Sequence, residues 1–112
     1  MKVFLSTDLS HNKLGDGTGR AIGKLINGRC PKLTVLNLSN NLIEAMGGVS
    51  IGHALQNNTT LKELNLRMNS LSDEGVQPIF KAFYKNTTLA TLNVGSNNIG
   101  ESSAPVLSQV LS

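Results

Sequence analysis

Cysteine, aromatic rings and long apolar runs are all scarce in this sequence, and each scarcity removes a class of protein. The single cysteine, Cys30, allows no internal disulfide, which argues for a reducing compartment and against a stapled extracellular domain. Tryptophan is absent and the rings are limited to Phe4, Phe80, Phe83 and Tyr84, so a core must be built from aliphatic side chains. The N-terminal segment MKVFLSTDLS has only three consecutive apolar residues, too few for the centre of a signal peptide. No stretch approaches the roughly 20 apolar residues of a membrane-spanning helix. The expected setting is intracellular, cytoplasmic or cytoskeletal, with no membrane partner. A length of 112 residues permits one domain, near the lower limit for an independent core.

Charge is modest and uneven. The net value is +3, and six of the ten basic residues (Lys2, Lys13, Arg20, Lys24, Arg29, Lys32) fall in the first 32 positions, against Asp8 and Asp16. That imbalance suits an acidic partner, although scattered charge of this kind is more often solvated surface. Aromatic residues are not interleaved with the bases, which argues against a nucleic-acid partner.

What the sequence does contain is repetition. Residues 61–88, LKELNLRMNSLSDEGVQPIFKAFYKNTT, align without a gap on residues 33–60, LTVLNLSNNLIEAMGGVSIGHALQNNTT. Both carry Leu-x-x-Leu-x-Leu-x-x-Asn-x-(Leu/Ile), then a small residue, then apolar residues in steps of four. A period in the 20–29 range with this pattern resembles a leucine-rich repeat. Four units follow, at 4–32, 33–60, 61–88 and 89–112. The first is longer, since Asn12 to Asn41 is 29 positions and the next two intervals are 28. The extra residue is expected in the connector NGRCPK, where Gly28 and Pro31 signal irregular backbone.

Within a unit the hydrophobic period changes. Leu64 and Leu66 alternate as in a strand, whereas Leu71, Gly75, Ile79 and Phe83 step by four as along a helix face. Each repeat should therefore be a strand, a turn and a returning helix. The predicted class is an α/β solenoid of four repeats, with parallel strands on the concave side and helices on the convex side. Ser72, Asp73 and Glu74 read as a helix start with a capping hydroxyl and two carboxylates at the positive end. Pro78 and Pro105 are expected early in their helices, where a missing amide costs little. Thr18, Gly47, Gly75 and Ser103 share a small-residue position that implies a tight turn or a close helix–sheet approach.

Asn12, Asn41, Asn69 and Asn97 recur where each strand turns away. An amide side chain both donates and accepts, so a buried asparagine can satisfy turn groups that the strand's end leaves unpaired. This set is expected to be a buried structural ladder. Glycosylation-type triplets at Asn37, Asn57, Asn58 and Asn86 recur because the repeat recurs.

A catalytic inventory yields nothing. Gly15, Asp16, Gly17, Thr18 and Gly19 suggest a phosphate loop, but a P-loop ending at Lys24 needs Gly at position 18 and Ser or Thr at position 25, where Thr18 and Leu25 stand. His11 and His53 have no carboxylate or cysteine at metal-ligand spacing, and Cys30 has no histidine partner. No enzyme, cofactor, metal or small-molecule substrate is implied. The remaining candidate is the inner face, where the residues between the leucines point outward: Asp8 and Ser10 (with Ser6); Val35, Asn37 and Ser39; Glu63, Asn65 and Arg67; Thr91 and Asn93 (with Gly95). Arg67, paired with Glu63, is the only residue there of the type that dominates binding hot spots.

Helix after strand, with Asn-x-Thr-Leu joining the units, is similar to the ribonuclease-inhibitor type of leucine-rich repeat. Asn65 to Asn69 followed by Asp73, Glu74 and Gly75, and TLNVGSNNIGESSAPVLSQVL at 91–111, resemble the repeats of subunit 5 of the nexin–dynein regulatory complex, the t-complex-associated testis-expressed protein family. That resemblance implies a non-catalytic scaffold in the ciliary or flagellar axoneme, with other regulatory-complex subunits as partners. Alternatives are a Ran-type GTPase-activating regulator, or the sensor repeats of an innate immune receptor or bacterial effector. Val106, Leu107, Val110 and Leu111 are expected to face a further repeat, so the segment is expected to belong to a longer array and to self-associate or unfold readily alone.

Overall fold

Leucine alternation produces a short strand in each repeat, and the four-step apolar pattern that follows produces a helix. The computed structural model describes residues 4–13, 15, 19–27 and 32–103. Strands β1 (Phe4–Asp8), β2 (Lys32–Asn37), β3 (Glu63–Asn65) and β4 (Thr91–Asn93) alternate with helices α1 (Gly19–Ile26), α2 (Ala45–Asn57) and α3 (Ser72–Ala82). A 3₁₀ turn, Glu101–Ser103, follows β4. The strands form one parallel sheet in chain order. The molecule is only 19 Å thick along its shortest axis, which is one layer of strands against one layer of helices.

The register carries the repeat length into space. Val35, Glu63 and Thr91 lie side by side, as do Leu36, Leu64 and Leu92, and Asn37, Asn65 and Asn93. Between β1 and β2 the register slips: Leu5 pairs with Leu33, but Ser6 pairs with Val35. Thr34 is thus the extra residue, accommodated as a bulge inside β2 rather than in the connector. A bulge places two residues opposite one on the partner strand, which absorbs a 29-residue repeat without displacing the leucines that follow. The bulged carbonyl is still used, since Thr34 accepts a hydrogen bond from the Lys62 amide at 2.7 Å.

The core is aliphatic. Leu33, Leu36, Leu38 and Ile43 of the second unit pack with Leu61, Leu64, Leu66 and Leu71 of the third, beneath Ile22, Ile26, Ile51, Leu55 and Ile79 from the helices. Phe83 covers this cluster half-buried.

The small-residue position resolves into helix–helix contact. A Cβ added to Gly75 would lie 2.9 Å from the Ala45 Cα, one on Gly48 would lie 2.4 Å from the Gly75 carbonyl oxygen, and one on Gly19 would lie 2.9 Å from the Gly47 Cα. Gly52 meets the Pro78 backbone in the same way, at 2.7 Å. Neighbouring helices therefore touch backbone to backbone, and no left-handed turn is involved, because none of these glycines has a positive φ.

Two helix expectations need correction. Pro78 is the seventh residue of α3 and lies inside it, not in the first turn, so the hydrogen bond that its amide would give to the Glu74 carbonyl is missing. Glu74 is exposed, and water can reach the orphaned oxygen. Ser72 is no capping hydroxyl either: α3 has no side-chain cap, and the Ser72 Oγ donates to the Leu71 carbonyl from a left-handed backbone at φ 57°. The loop region 16–18, Cys30, Pro105 and the apolar residues Val106, Leu107, Val110 and Leu111 lie outside the described residues.

Candidate protein-binding face

Each strand ends in the same polar device. The side-chain oxygen of the last strand residue accepts the amide two residues on: Ser10 N to Asp8 Oδ1 (2.9 Å), Ser39 N to Asn37 Oδ1 (3.0 Å), Arg67 N to Asn65 Oδ1 (3.0 Å) and Gly95 N to Asn93 Oδ1 (2.9 Å). These Asx turns bend the chain out of the sheet. Asp8, Asn37, Asn65 and Asn93, read from the sequence as contact residues, thus already have one oxygen committed to the fold. Asp8 differs from the other three by its charge. Hydrogen bonds from the Ser10 amide and then the Ser10 hydroxyl hold its carboxyl below the usual value, opposed by desolvation and aided by His11.

Beneath this turn runs the asparagine ladder. Asn69 Oδ1 accepts from the Asn41 amide (2.9 Å) and the Ile43 amide (3.0 Å) of the preceding repeat, while its Nδ2 donates to the Leu38 carbonyl (3.0 Å) and its own repeat's Leu66 carbonyl (2.9 Å). Asn97 repeats the pattern one unit on, accepting from the Leu71 amide (3.2 Å) and donating to the Leu66 (2.8 Å) and Val94 (3.0 Å) carbonyls. Asn41 accepts from the Asn12 amide (2.7 Å) and donates to the Leu9 carbonyl (2.8 Å). Asn41, Asn69 and Asn97 are buried, as expected. Asn12 is exposed, contrary to expectation, because each buried ladder side chain bonds to the repeat before it, and among the described residues none packs there against Asn12. Its Nδ2 donates within its own turn, to the Leu9 and Ser10 carbonyls.

A second ladder at the opposite end of the repeat was hidden in the glycosylation-type triplets. Asn58 Oδ1 accepts from the Thr60 (3.0 Å) and Leu61 (2.7 Å) amides, and its Nδ2 reaches back to the Ile26 carbonyl (2.7 Å). Asn86 does the same with Thr88 (2.8 Å), Leu89 (2.9 Å) and the Leu55 carbonyl (2.7 Å). The signal was the recurrence of Asn-Thr-Thr before each new strand. Both side chains are buried, so neither amide is available for modification in the folded chain.

The two ladders pin both ends of β3 and β4 and the exit of β2, and leave the middle of the sheet open. Glu63, Arg67, Thr91 and Asn93 are exposed, and Val35, Asn37, Ser39 and Asn65 are half-buried, with Asp8 exposed and Ser10 half-buried at the β1 end. Six of them, Val35, Asn37, Glu63, Asn65, Thr91 and Asn93, line a shallow open concavity of about 330 Å³ together with Leu36 and Leu64, whereas Asp8, Ser10, Ser39 and Arg67 lie outside it. The Arg67 side chain runs across Gly95, where an added Cβ would lie 3.7 Å from its Cγ. His11 and His53 are apart: His11 sits at the β1 exit with its Nδ1 2.8 Å from Asn40 Nδ2, and His53 is exposed on α2. Among the described residues no cluster of histidine, cysteine and carboxylate side chains is arranged to hold a metal. No helix among them is long and apolar enough to cross a membrane.

A parallel sheet built from 28-residue units with a buried asparagine at each strand exit defines a leucine-rich repeat. The family model described as Leucine Rich repeat matches residues 29–52, 57–80 and 85–104, and the chain belongs to that family. No curated protein sequence matches it. Two solved structures share the fold. The leiomodin-1 structure entitled "Actin-Binding Site 2 (ABS2)" superposes with a TM-score of 0.79 at 18% identity over 96% of this chain. The Caenorhabditis elegans tropomodulin C-terminal domain superposes at 0.59 with 13% identity over 98% of this chain. This chain spans 62% of the leiomodin-1 structure and 83% of the tropomodulin one.

Proposed function

We propose that the chain is a non-catalytic, protein-binding repeat segment whose partner lies against the exposed strand face. The observation that carries this reading is the alignment of Val35, Glu63 and Thr91, and of Asn37, Asn65 and Asn93, into one open surface held by buried asparagines at all three strand exits and at the entries of β3 and β4. Such a surface is pre-organised, so a partner meets few side chains that must be ordered on binding. Its area is polar, with Arg67 as the anchor best able to make forked hydrogen bonds.

The finer reading is a scaffold role in the nexin–dynein regulatory complex of the ciliary axoneme, supported by the resemblance of residues 65–75 and 91–111 to its subunit 5. A second reading, association with actin, is supported by the backbone likeness to leiomodin-1, whose title names an actin-binding site. One experiment separates them. A photo-crosslinking side chain at Thr91 in tagged protein expressed in ciliated cells should yield adducts with regulatory-complex subunits in isolated axonemes. Adducts with actin, together with co-sedimentation on filaments, would transfer the assignment to the second reading. Adducts formed only from helix positions such as His53 would remove the strand face from both.

A further inference from the structure

The convex surface carries a pattern that the strand-face reading does not use. Lys24, His53 and Lys81 occupy one equivalent position in three successive repeats and are exposed on α1, α2 and α3. Lys24 and Lys81 both lie in the last turn of their helices, and Lys85, exposed, follows α3 in the same repeat as Lys81. The acids lie elsewhere. Asp8 and Glu63 are at the strand face, Glu44 precedes α2, Asp73 and Glu74 form the first turn of α3, and Glu101 is in the 3₁₀ turn. Among the described residues, then, one edge of the helical layer is basic and all the carboxylates are on the strand face or at the helix N-terminal ends. Favourable interaction with the helix dipoles accounts for Lys24, Lys81 and Lys85 near helix C-terminal ends, but not for His53, a full turn before the end of α2.

We propose that this edge is a second docking surface, independent of the strand face, for an acidic and extended polypeptide segment. The spacing selects the ligand. Packed helices are about 8–10 Å apart, and the backbone contacts of Gly19 with Gly47 and of Gly48 with Gly75 keep this array close to the lower value. An extended chain of the polyproline type has three residues per turn and a rise of about 3.1 Å per residue. Carboxylates at every third position therefore recur on one side about every 9 Å, matching the step from Lys24 to His53 to Lys81, with the two lysines as the charged contacts and the His53 imidazole as a hydrogen-bonding contact between them. A nucleic acid is disfavoured because, among the described residues, Tyr84 is the only exposed phenylalanine, tyrosine or tryptophan ring, and base stacking favours successive aromatic rings.

The test uses the full chain and two labelled 12-residue peptides of equal charge, one with glutamate at every third position between prolines and one with its four glutamates contiguous. Fluorescence anisotropy should show the spaced peptide binding several-fold more tightly, with an affinity that falls as salt rises. Lys24→Glu with Lys81→Glu should weaken that binding roughly tenfold. Lys24→Gln with Lys81→Gln should give an intermediate loss, which covers the case of a reversal variant that does not fold. Lys13→Glu, in the loop after β1, should change nothing. Equal affinity for the two peptides, no response to either double substitution, or tighter binding of an oligothymidylate or a phosphatidylserine vesicle than of the spaced peptide would each overturn the proposal.

Discussion

Replacing Asn69 by alanine is the sharpest perturbation of the stack. The substitution removes the acceptor for two buried amides, Asn41 N and Ile43 N, and the donor for the Leu38 and Leu66 carbonyls. Asn69 is only 6% exposed, so bulk water does not replace these partners freely. Each buried group left unsatisfied costs about 1–3 kcal/mol. The two amides dominate, because a carbonyl retains a second lone pair and tolerates a lost partner better. A net loss of about 3–5 kcal/mol follows. At about 0.05–0.15 kcal/mol per residue a chain of this length has roughly 6–17 kcal/mol in all, so the substitution should consume a large share. Urea unfolding followed by circular dichroism is the assay, with Asn12→Ala as the internal standard. Asn12 is exposed and its side chain bonds within its own turn, while its amide, which reaches Asn41, is kept by alanine, so the substitution should cost under about 1 kcal/mol. Equal midpoints for the two variants would refute the claim that cross-repeat bonding by these amides holds the units together.

Three further outcomes follow from the geometry. Gly48→Ala places a methyl on the Gly75 backbone and should destabilise by about 1–3 kcal/mol, whereas Gly23→Ala meets nothing nearer than 3.7 Å and should stabilise by up to about 1 kcal/mol through helix propensity. Thermal unfolding should therefore shift in opposite directions for the two. Asp73 accepts from the Gly100 amide at 3.0 Å and from the Ser103 hydroxyl, so Asp73→Ala should accelerate hydrogen exchange at Gly100 and leave β2 and β3 protected. Asp8 has a depressed pKa when folded, so its contribution is complete above the unfolded value near 3.8 and is lost as pH falls through the lower folded value. Asp8→Asn, which matches the other three repeats, should remove that acid dependence and leave stability at pH 7 almost unchanged.

The architecture was legible because a leucine pattern at a fixed period can be satisfied by only one stacking, and because asparagine at 12, 41, 69 and 97 marks the strand exit unambiguously. What escaped depended on neighbouring repeats. Sequence shows that 47 and 75 must be small, but only the helix positions reveal that Gly48 touches Gly75 rather than the sheet. The extra residue of the first unit was assigned to the connector because proline and glycine mark it, yet a bulge at Thr34 is silent in the side-chain pattern. Asn58 and Asn86 share a triplet with a modification signal, and their burial is decided by the helix of the preceding unit. Asp8, Asn37, Asn65 and Asn93 sit on the outward phase of the strand, which hid their second task in the turn. Pro78 falls inside α3 because the helix begins at Ser72, where the sequence itself marks the start, which leaves six helical residues before the proline.

The rigid strand face as a contact surface is best tested by reversing the charges of Glu63 and Arg67 together. Glu63→Lys with Arg67→Glu alters exposed side chains only and should leave the unfolding temperature unchanged within about 2 °C while weakening association with the crosslinked partner at least tenfold. Full affinity in that variant, combined with loss on Lys24→Glu and Lys81→Glu, would move the partner to the helical side and contradict the account.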